Sequence, residues 1–144
     1  MRVFLRKAFY STLDTGKAFE RRIYLLDETK QKISFWNDVP LKIKGETDPT
    51  VFNAGIEIPR YSLGKFEVRK TEPYHPIVQD IRKNKINRDK TELRYYAQYG
   101  SFNYGFFPQT WENCFKSHKD IDNLMVETLV LDAIFNCDRV IMTH

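Results

Sequence analysis

Two short segments of the sequence carry the residue types that phosphate chemistry requires. Residues 57–67 read EIPRYSLGKFE, and residues 103–112 read NYGFFPQTWE. Phosphoryl transfer needs cations that neutralise phosphate oxygens, carboxylates that hold Mg²⁺, and donors that position the leaving phosphate. Lys65 and Glu67 are two residues apart, so a β-strand would project their ammonium and carboxylate groups from one face. Together with Glu57 on the preceding predicted strand, they indicate a phosphate-handling site.

Arg94 and Tyr104 extend this candidate site. The planar fork of Arg94 suits phosphate oxygens, and the Tyr104 hydroxyl is a hydrogen-bond donor. Each residue also has an ordinary structural explanation, since a Lys65–Glu67 pair is typical of an exposed strand, Arg94 of a solvated surface and Tyr104 of a core or its rim. The prediction therefore depends on the combination and order of these residues.

The segments that must position these residues have the alternation of β-strands. Residues 19–36 predict a hairpin with a polar turn at 27–32, VFNAGIEI predicts a strand that ends at Pro59, and KFEVRK predicts one with a charged and a buried face. LKIKG predicts a short exposed strand, TEPYHP a loop, and the basic stretch 77–94 a solvated loop or short helix. The sequence thus predicts a mainly β, antiparallel barrel or sandwich with little helix.

Composition limits the chain to one domain. With 144 residues and 42% hydrophobic content, residues 1–144 can support a single core but not two. The net charge of +4 is a mild excess that names no partner. Cys114 and Cys137 do not form a CxxC pair, and the histidines are scattered, so zinc-ligand spacing is absent from the sequence. No run of 18 apolar residues occurs.

Five segments in chain order resemble one protein family. The segments EIPR, NYG and PQTWE are the most specific to that family. The longer segments FERRIYLLDETKQKISFWNDVPLKI and EPYHPIVQDIRKNK extend the similarity over nearly the whole chain. The chain resembles the soluble family I inorganic pyrophosphatases in their eukaryotic form. The resemblance implies an OB-like antiparallel β-barrel with short helices that hydrolyses pyrophosphate to two phosphates with several Mg²⁺ ions.

The resemblance also implies roles for the candidate residues. Glu57, Lys65 and Glu67 match active-site positions of the family, Arg94 matches its phosphate-binding arginine, and Tyr104 matches its active-site tyrosine. Lys65, Arg94 and Tyr104 would contact phosphate. These five residues form the phosphate half of the implied site, and the sequence contains all of them.

The metal-binding half departs from the family pattern. The family signature is DxDPxD, and aligning its last aspartate with Asp132 places Glu127 and Leu129 at the first two aspartate positions. Glu127 and Asp132 would remain as metal ligands. Leu129 cannot bind Mg²⁺, because the ion takes oxygen ligands. The sequence therefore predicts a degraded metal site.

The resemblance further implies a barrel that is incomplete at its C-terminus, because family members continue beyond the point that matches His144. An open barrel leaves unpaired strand amides and an apolar face exposed. We therefore expect protein subunits of a larger complex to cover residues 124–144. The leading hypothesis is a catalytically degenerate, pyrophosphatase-like structural or accessory subunit with no cofactor.

Two alternatives stay open. The first is an active Mg²⁺-dependent pyrophosphatase in which a neighbouring chain replaces the lost carboxylates. The second is an OB-like module that binds single-stranded nucleic acid through Lys83, Lys85, Arg88 and Lys90 near Tyr95, Tyr96 and Tyr99. The basic residues there are also typical of a solvated surface, and no nucleic-acid partner is expected.

The N-terminal segment bears on localisation. Residues 1–13 contain Arg2, Arg6 and Lys7 and no acid before Asp14. This pattern is compatible with a mitochondrial targeting segment. The alternative is an ordered basic N-terminal strand in a cytoplasmic protein.

Overall fold

The computed structural model describes residues 10–110 of the chain. The predictions for Glu127, Leu129, Asp132 and the surface at 124–144 lie outside this part, as does most of the basic segment 1–13. The last residues of the segment 1–13 belong to the first strand. The described elements are β1 (Ser11–Thr15), a single 3-10 turn (Ala18–Glu20), β2 (Arg22–Leu26), β3 (Lys32–Ile33), β4 (Gly55–Ile58), β5 (Phe66–Val68), β6 (Ile77–Gln79), β7 (Ile81–Lys83), β8 (Thr91–Leu93) and β9 (Tyr104–Phe106).

The largest sheet has the strand order β1-β2-β6-β5, and β3 pairs with β2 as well. Every pairing in it is antiparallel. Two smaller antiparallel pairs, β4 with β9 and β7 with β8, complete the described strands. An isolated bridge between Gly64 and Tyr95 joins the start of the β5 segment to the segment after β8. The predicted mainly β, antiparallel fold is confirmed for residues 10–110.

The core lies between the large sheet and the β4–β9 pair. Ile23 and Leu25 on β2 alternate with half-buried neighbours, which is the period of a strand with one buried face. They pack with Phe35, Val39 and Ile77, and with the further core residues Ile58, Phe66 and Phe106. Burial of these large apolar side chains is the main stabilising contribution to the fold. The core therefore holds together the strands that carry the candidate site.

Several predicted elements are confirmed. The hairpin at 19–36 corresponds to β2 and β3, with Asp27 closing its turn by accepting hydrogen bonds from the Thr29 and Gln31 amides. The strand that ends at Pro59 is β4, and KFEVRK contains β5. The segment TEPYHP is a loop, as its two prolines predict.

One prediction was right only in part and another was wrong. The basic stretch 77–94 is an exposed loop only at residues 84–90, because the residues on either side form β6 and the β7–β8 hairpin. All three β7 residues are exposed, so β7 lacks the apolar alternation that signals a strand. The segment LKIKG forms no strand either, since Lys42 makes only an isolated bridge with Phe52. In the described part of the chain, no helix is long and apolar enough to cross a membrane.

Candidate active site

A cleft of about 290 Å³ lies at the junction of β4, β5 and β9. Four of the predicted site residues line it: Glu57, Lys65, Glu67 and Tyr104. Glu57 lies on β4, Lys65 directly precedes β5, Glu67 lies on β5, and Tyr104 lies on the distant strand β9. The fold therefore brings together the two segments whose composition indicated phosphate chemistry.

Lys65 is the central cation of the cleft. Its Nζ contacts the Glu67 carboxylate and lies 3.2 Å from Oδ2 of Asp80. The same Asp80 oxygen accepts a hydrogen bond from Nη1 of Arg94 at 2.6 Å. Arg94 does not line the cleft itself, but Asp80 links it to Lys65. Two cations and two carboxylates thus form one network.

The backbone fixes the relative positions of this network. The Lys65 amide donates to the Arg94 carbonyl at 3.1 Å, the Asp80 amide to the Lys65 carbonyl at 2.8 Å, and the Arg94 amide to the Asp80 carbonyl at 2.8 Å. The three residues therefore form a closed cycle of main-chain hydrogen bonds. Such a frame limits side-chain motion to rotamer changes and preorganises the charges.

Asp80 is a site residue that the sequence did not reveal. Partial burial alone would raise its pKa, but hydrogen bonds from the Ile81 amide, Lys65 and Arg94 outweigh burial and lower the pKa below its ordinary value. Asp80 is therefore an anion that holds Lys65 and Arg94 next to each other. The only sequence signal was its position shortly after the apolar pair Ile77 and Val78, directly after the end of β6.

A β-bulge places Glu57 at the cleft. Ile56 pairs with Gly105 and Ile58 pairs with Tyr104, so Glu57 is the extra residue between two consecutive partners on β9. Bulges re-aim a side chain and are common beside active sites. The Glu57 carboxylate accepts a hydrogen bond from the Val68 amide at 2.7 Å, which ties β4 to β5. Tyr104 lines the cleft from the β9 side of this bulge.

An aromatic wall closes one side of the cleft. Trp36 stacks on Phe106 with ring centroids 5.4 Å apart and an interplanar angle of 25°. Lys70 Nζ lies 4.6 Å from the centre of the Trp36 ring. Trp36 and Lys70 both line the cleft, and no pattern in the sequence singled out either of them.

The carboxylates of the described part do not make a complete metal centre. Within residues 10–110, no group of three or more His, Cys, Asp or Glu residues could hold a metal ion. Glu57 and Glu67 line the cleft with oxygen atoms of the kind that Mg²⁺ prefers. The predicted metal ligands Glu127 and Asp132, with Leu129, lie outside the described residues.

Fold and site together define a β-protein whose cleft is lined by Lys65, two glutamates and Tyr104. A sequence model of the family described as inorganic pyrophosphatase matches residues 54–141, which include all five predicted residues of the phosphate half. The chain belongs to the inorganic pyrophosphatase family, in its soluble family I form.

Similar proteins agree with this assignment. The chain is 33% identical over 119 residues to a chloroplastic soluble inorganic pyrophosphatase of Arabidopsis thaliana, covering 83% of this chain and 36% of that protein. It is 38% identical over 106 residues to human inorganic pyrophosphatase, covering 72% of this chain and 35% of the human protein. The chain therefore spans about a third of the length of these curated relatives.

Solved structures confirm the fold. The crystal structure of type I inorganic pyrophosphatase from Toxoplasma gondii matches with a TM-score of 0.66 at 34% identity, covering 77% of this chain and 47% of that chain. A truncated Trypanosoma cruzi vacuolar soluble pyrophosphatase, crystallised in complex with PPi, matches with a TM-score of 0.61 at 29% identity, covering 83% of this chain and 50% of that chain. The predicted pyrophosphatase-type, OB-like β-fold is thereby confirmed.

Proposed function

We propose that the cleft binds a diphosphate, and that the chain is a catalytically degenerate member of its family that acts as a structural or accessory subunit. The observation that carries diphosphate binding is the Lys65–Asp80–Arg94 network beside Glu57, Glu67 and Tyr104. A phosphate oxygen competes with the carboxylates for Lys65, because charge-assisted hydrogen bonds to phosphate are strong.

Each residue has a definite part in this binding. Lys65 neutralises phosphate charge, and Tyr104, which lines the same cleft, donates a hydrogen bond. Arg94 supports Lys65 through Asp80 and adds positive potential near the cleft. Glu57 and Glu67 would hold Mg²⁺, which supplies charge neutralisation and an activated water when bound.

The sequence of residues 120–132 supports the loss of hydrolysis. In the alignment that ends at Asp132, Leu129 stands at a ligand position of DxDPxD. The run Asp120-Ile121-Asp122-Asn123-Leu124-Met125 fits the same motif in a second alignment, with Met125 at the last aspartate position. In either alignment an apolar side chain replaces one of three carboxylates. Losing a metal-activated water raises the barrier by several kcal/mol.

The second candidate is an active Mg²⁺-dependent pyrophosphatase. The observation that favours it is that the phosphate half of the site is complete. Glu57, Lys65, Glu67 and Tyr104 line the cleft, and Arg94 is linked to it through Asp80. Carboxylates from outside this part, including those of a neighbouring chain, would then complete the metal centre.

Binding and hydrolysis are tested separately on the purified chain. Calorimetry with methylenediphosphonate, which cannot be hydrolysed at its bridging carbon, measures binding, and phosphate release from pyrophosphate with Mg²⁺ measures turnover. We expect binding that Lys65→Met weakens by about tenfold or more, and phosphate release no greater than that of Lys65→Met. Absence of binding contradicts the proposed cleft.

Turnover that Lys65→Met abolishes contradicts degeneracy and establishes the second candidate. In that case the substitutions Asp132→Asn and Asp122→Asn distinguish the two alignments. Asp132 is a ligand in the first alignment and Asp122 in the second, and only substitution of the true ligand raises the Mg²⁺ concentration that turnover requires. The accessory role is tested by whether the native chain sediments in a complex of defined composition. A native chain that sediments as a free monomer contradicts that role.

A further inference from the structure

Lys70 is a cleft cation whose role the phosphate network does not explain. It lines the same cleft as Lys65, but its ammonium lies over the Trp36 ring, 4.6 Å from the ring centre. Among residues 10–110, no carboxylate forms an ion pair with Lys70, whereas Lys65 and Arg94 each pair with Asp80. Lys70 is also exposed. Its ammonium can therefore bind an incoming anion without first breaking an ion pair within residues 10–110.

The energies of the two contacts favour such a transfer. A cation over a partly exposed aromatic ring is held only weakly. A hydrogen bond from an ammonium to a charged acceptor is stronger. Because no ion pair within residues 10–110 must be broken, Lys70 loses little when it leaves Trp36 for a phosphate oxygen.

Contacts on both sides hold Trp36 in a fixed position. Its ring stacks on Phe106 of β9, and its amide donates to Ser34 Oγ at 3.0 Å. Ser34 is buried, and its Oγ lies 2.7 Å from Nδ1 of His75 in the loop that follows Lys70. The aromatic surface and the segment that carries Lys70 are thus fixed to each other.

We propose that Lys70 and Trp36 form a second anion subsite of the cleft, in which Lys70 leaves the Trp36 ring to bind the second phosphate of a diphosphate whose first phosphate is held by Lys65. This inference rests on the proposed diphosphate binding. It adds a specificity element, because a ligand with a single phosphate does not need Lys70. The subsite therefore favours diphosphates over monophosphate.

The test compares two lysines that each lie over an aromatic ring. Lys70→Met removes the proposed contact, and Lys32→Met is the matched control, since Lys32 Nζ lies 3.8 Å from the Tyr24 ring centre and does not line the cleft. Calorimetry with methylenediphosphonate and with inorganic phosphate gives both affinities. We expect Lys70→Met to weaken diphosphonate binding about tenfold and phosphate binding less than about twofold. Lys32→Met should change neither.

Trp36 fluorescence provides an independent readout. In a Trp111→Phe background, Trp36 is the single tryptophan, so diphosphonate should change its emission when Lys70 leaves the ring. Lys70→Met should remove that change even at saturating ligand. Circular dichroism melts establish that each variant folds.

The outcomes separate this inference from the proposed function. If the unsubstituted chain binds diphosphonate and Lys70→Met binds it equally well, the second subsite is refuted and diphosphate binding stands. Equal losses for diphosphonate and phosphate also refute it, because Lys70 would then act as a general cation. If the unsubstituted chain binds neither ligand, the proposed function itself fails.

Discussion

At the scale of single residues, one carboxylate organises the site. Asp80 receives hydrogen bonds from Lys65, Arg94 and the Ile81 amide, and these lower its pKa against the effect of burial. A lowered pKa in the folded state means that the ionised form stabilises the fold. The stabilisation is present above the unfolded-state pKa of about 3.9 and is lost as pH falls through the lower folded-state value.

Asp80→Asn should therefore remove an acid-sensitive part of the stability. We expect the variant to lose about 1 kcal/mol of unfolding free energy at pH 7, and the difference from the unsubstituted chain to shrink as pH falls below about 4. Urea unfolding at a series of pH values measures this. Asp14→Asn, which disrupts the exposed pair with Arg21, is the control and should cost less than about 0.5 kcal/mol. A pH-independent difference for Asp80→Asn would contradict the linkage.

The residues of the phosphate half were predictable because their spacing carries information. Lys65 and Glu67 follow the period of a strand, and Glu57 and Tyr104 belong to motifs of specific composition. Asp80 was not predictable in the same way, because its role depends on where β6 ends relative to Lys65 and Arg94. That relation comes from long-range strand pairing, which local patterns do not encode. Lys70 and Trp36 were missed for the same reason.

At the scale of elements, strand prediction succeeded where one face is buried. β2, β4 and β5 each alternate or form an apolar run, and all were predicted. β7 has only exposed residues and lies in a segment rich in lysine and arginine, so composition favoured a loop. Its cross-strand partners on β8 hold it, including an Arg82–Glu92 ion pair at 2.7 Å. An exposed hairpin of this kind carries no apolar signature for a sequence to reveal.

The β4–β9 pair depends on close backbone approach at Gly105. A Cβ at this position would collide with the carbonyl of Gly55 on the neighbouring strand. Gly105→Ala should therefore separate the strands beside Tyr104 and Glu57, and we expect a loss of at least about 2 kcal/mol of unfolding free energy. The measurement is denaturant unfolding followed by tryptophan fluorescence.

Gly100→Ala is the matched control for this prediction. A Cβ at Gly100 would make only an ordinary contact, 3.6 Å from the Phe102 ring. Its unfolding free energy should stay within about 0.5 kcal/mol of the unsubstituted chain. Equal effects of the two substitutions would show that close packing of β4 against β9 does not determine stability here.

At the scale of the whole molecule, the net charge of +4 is small, and much of it lies on one exposed hairpin. The β7–β8 hairpin and its loop carry five cations and two acids, Asp89 and Glu92, and Glu92 forms an ion pair with Arg82. Tyr95 and Tyr99 are exposed near this hairpin in sequence, at 58% and 62%. Exposed aromatics beside cations are the combination that single-stranded nucleic acids use. Here the acids reduce the positive potential that such binding also requires.

The intact chain should therefore show no salt-sensitive affinity for single strands. Fluorescence anisotropy with oligo-dT and oligo-rU, measured at low and physiological salt, tests this directly. We expect no binding at physiological salt, because only a few cations are available to release counterions. The charge-reversal variant Lys85→Glu should leave the signal unchanged, as should Tyr99→Ala. Affinity that falls steeply with added salt and is lost in both variants would establish a nucleic-acid surface on this hairpin, separate from the diphosphate cleft.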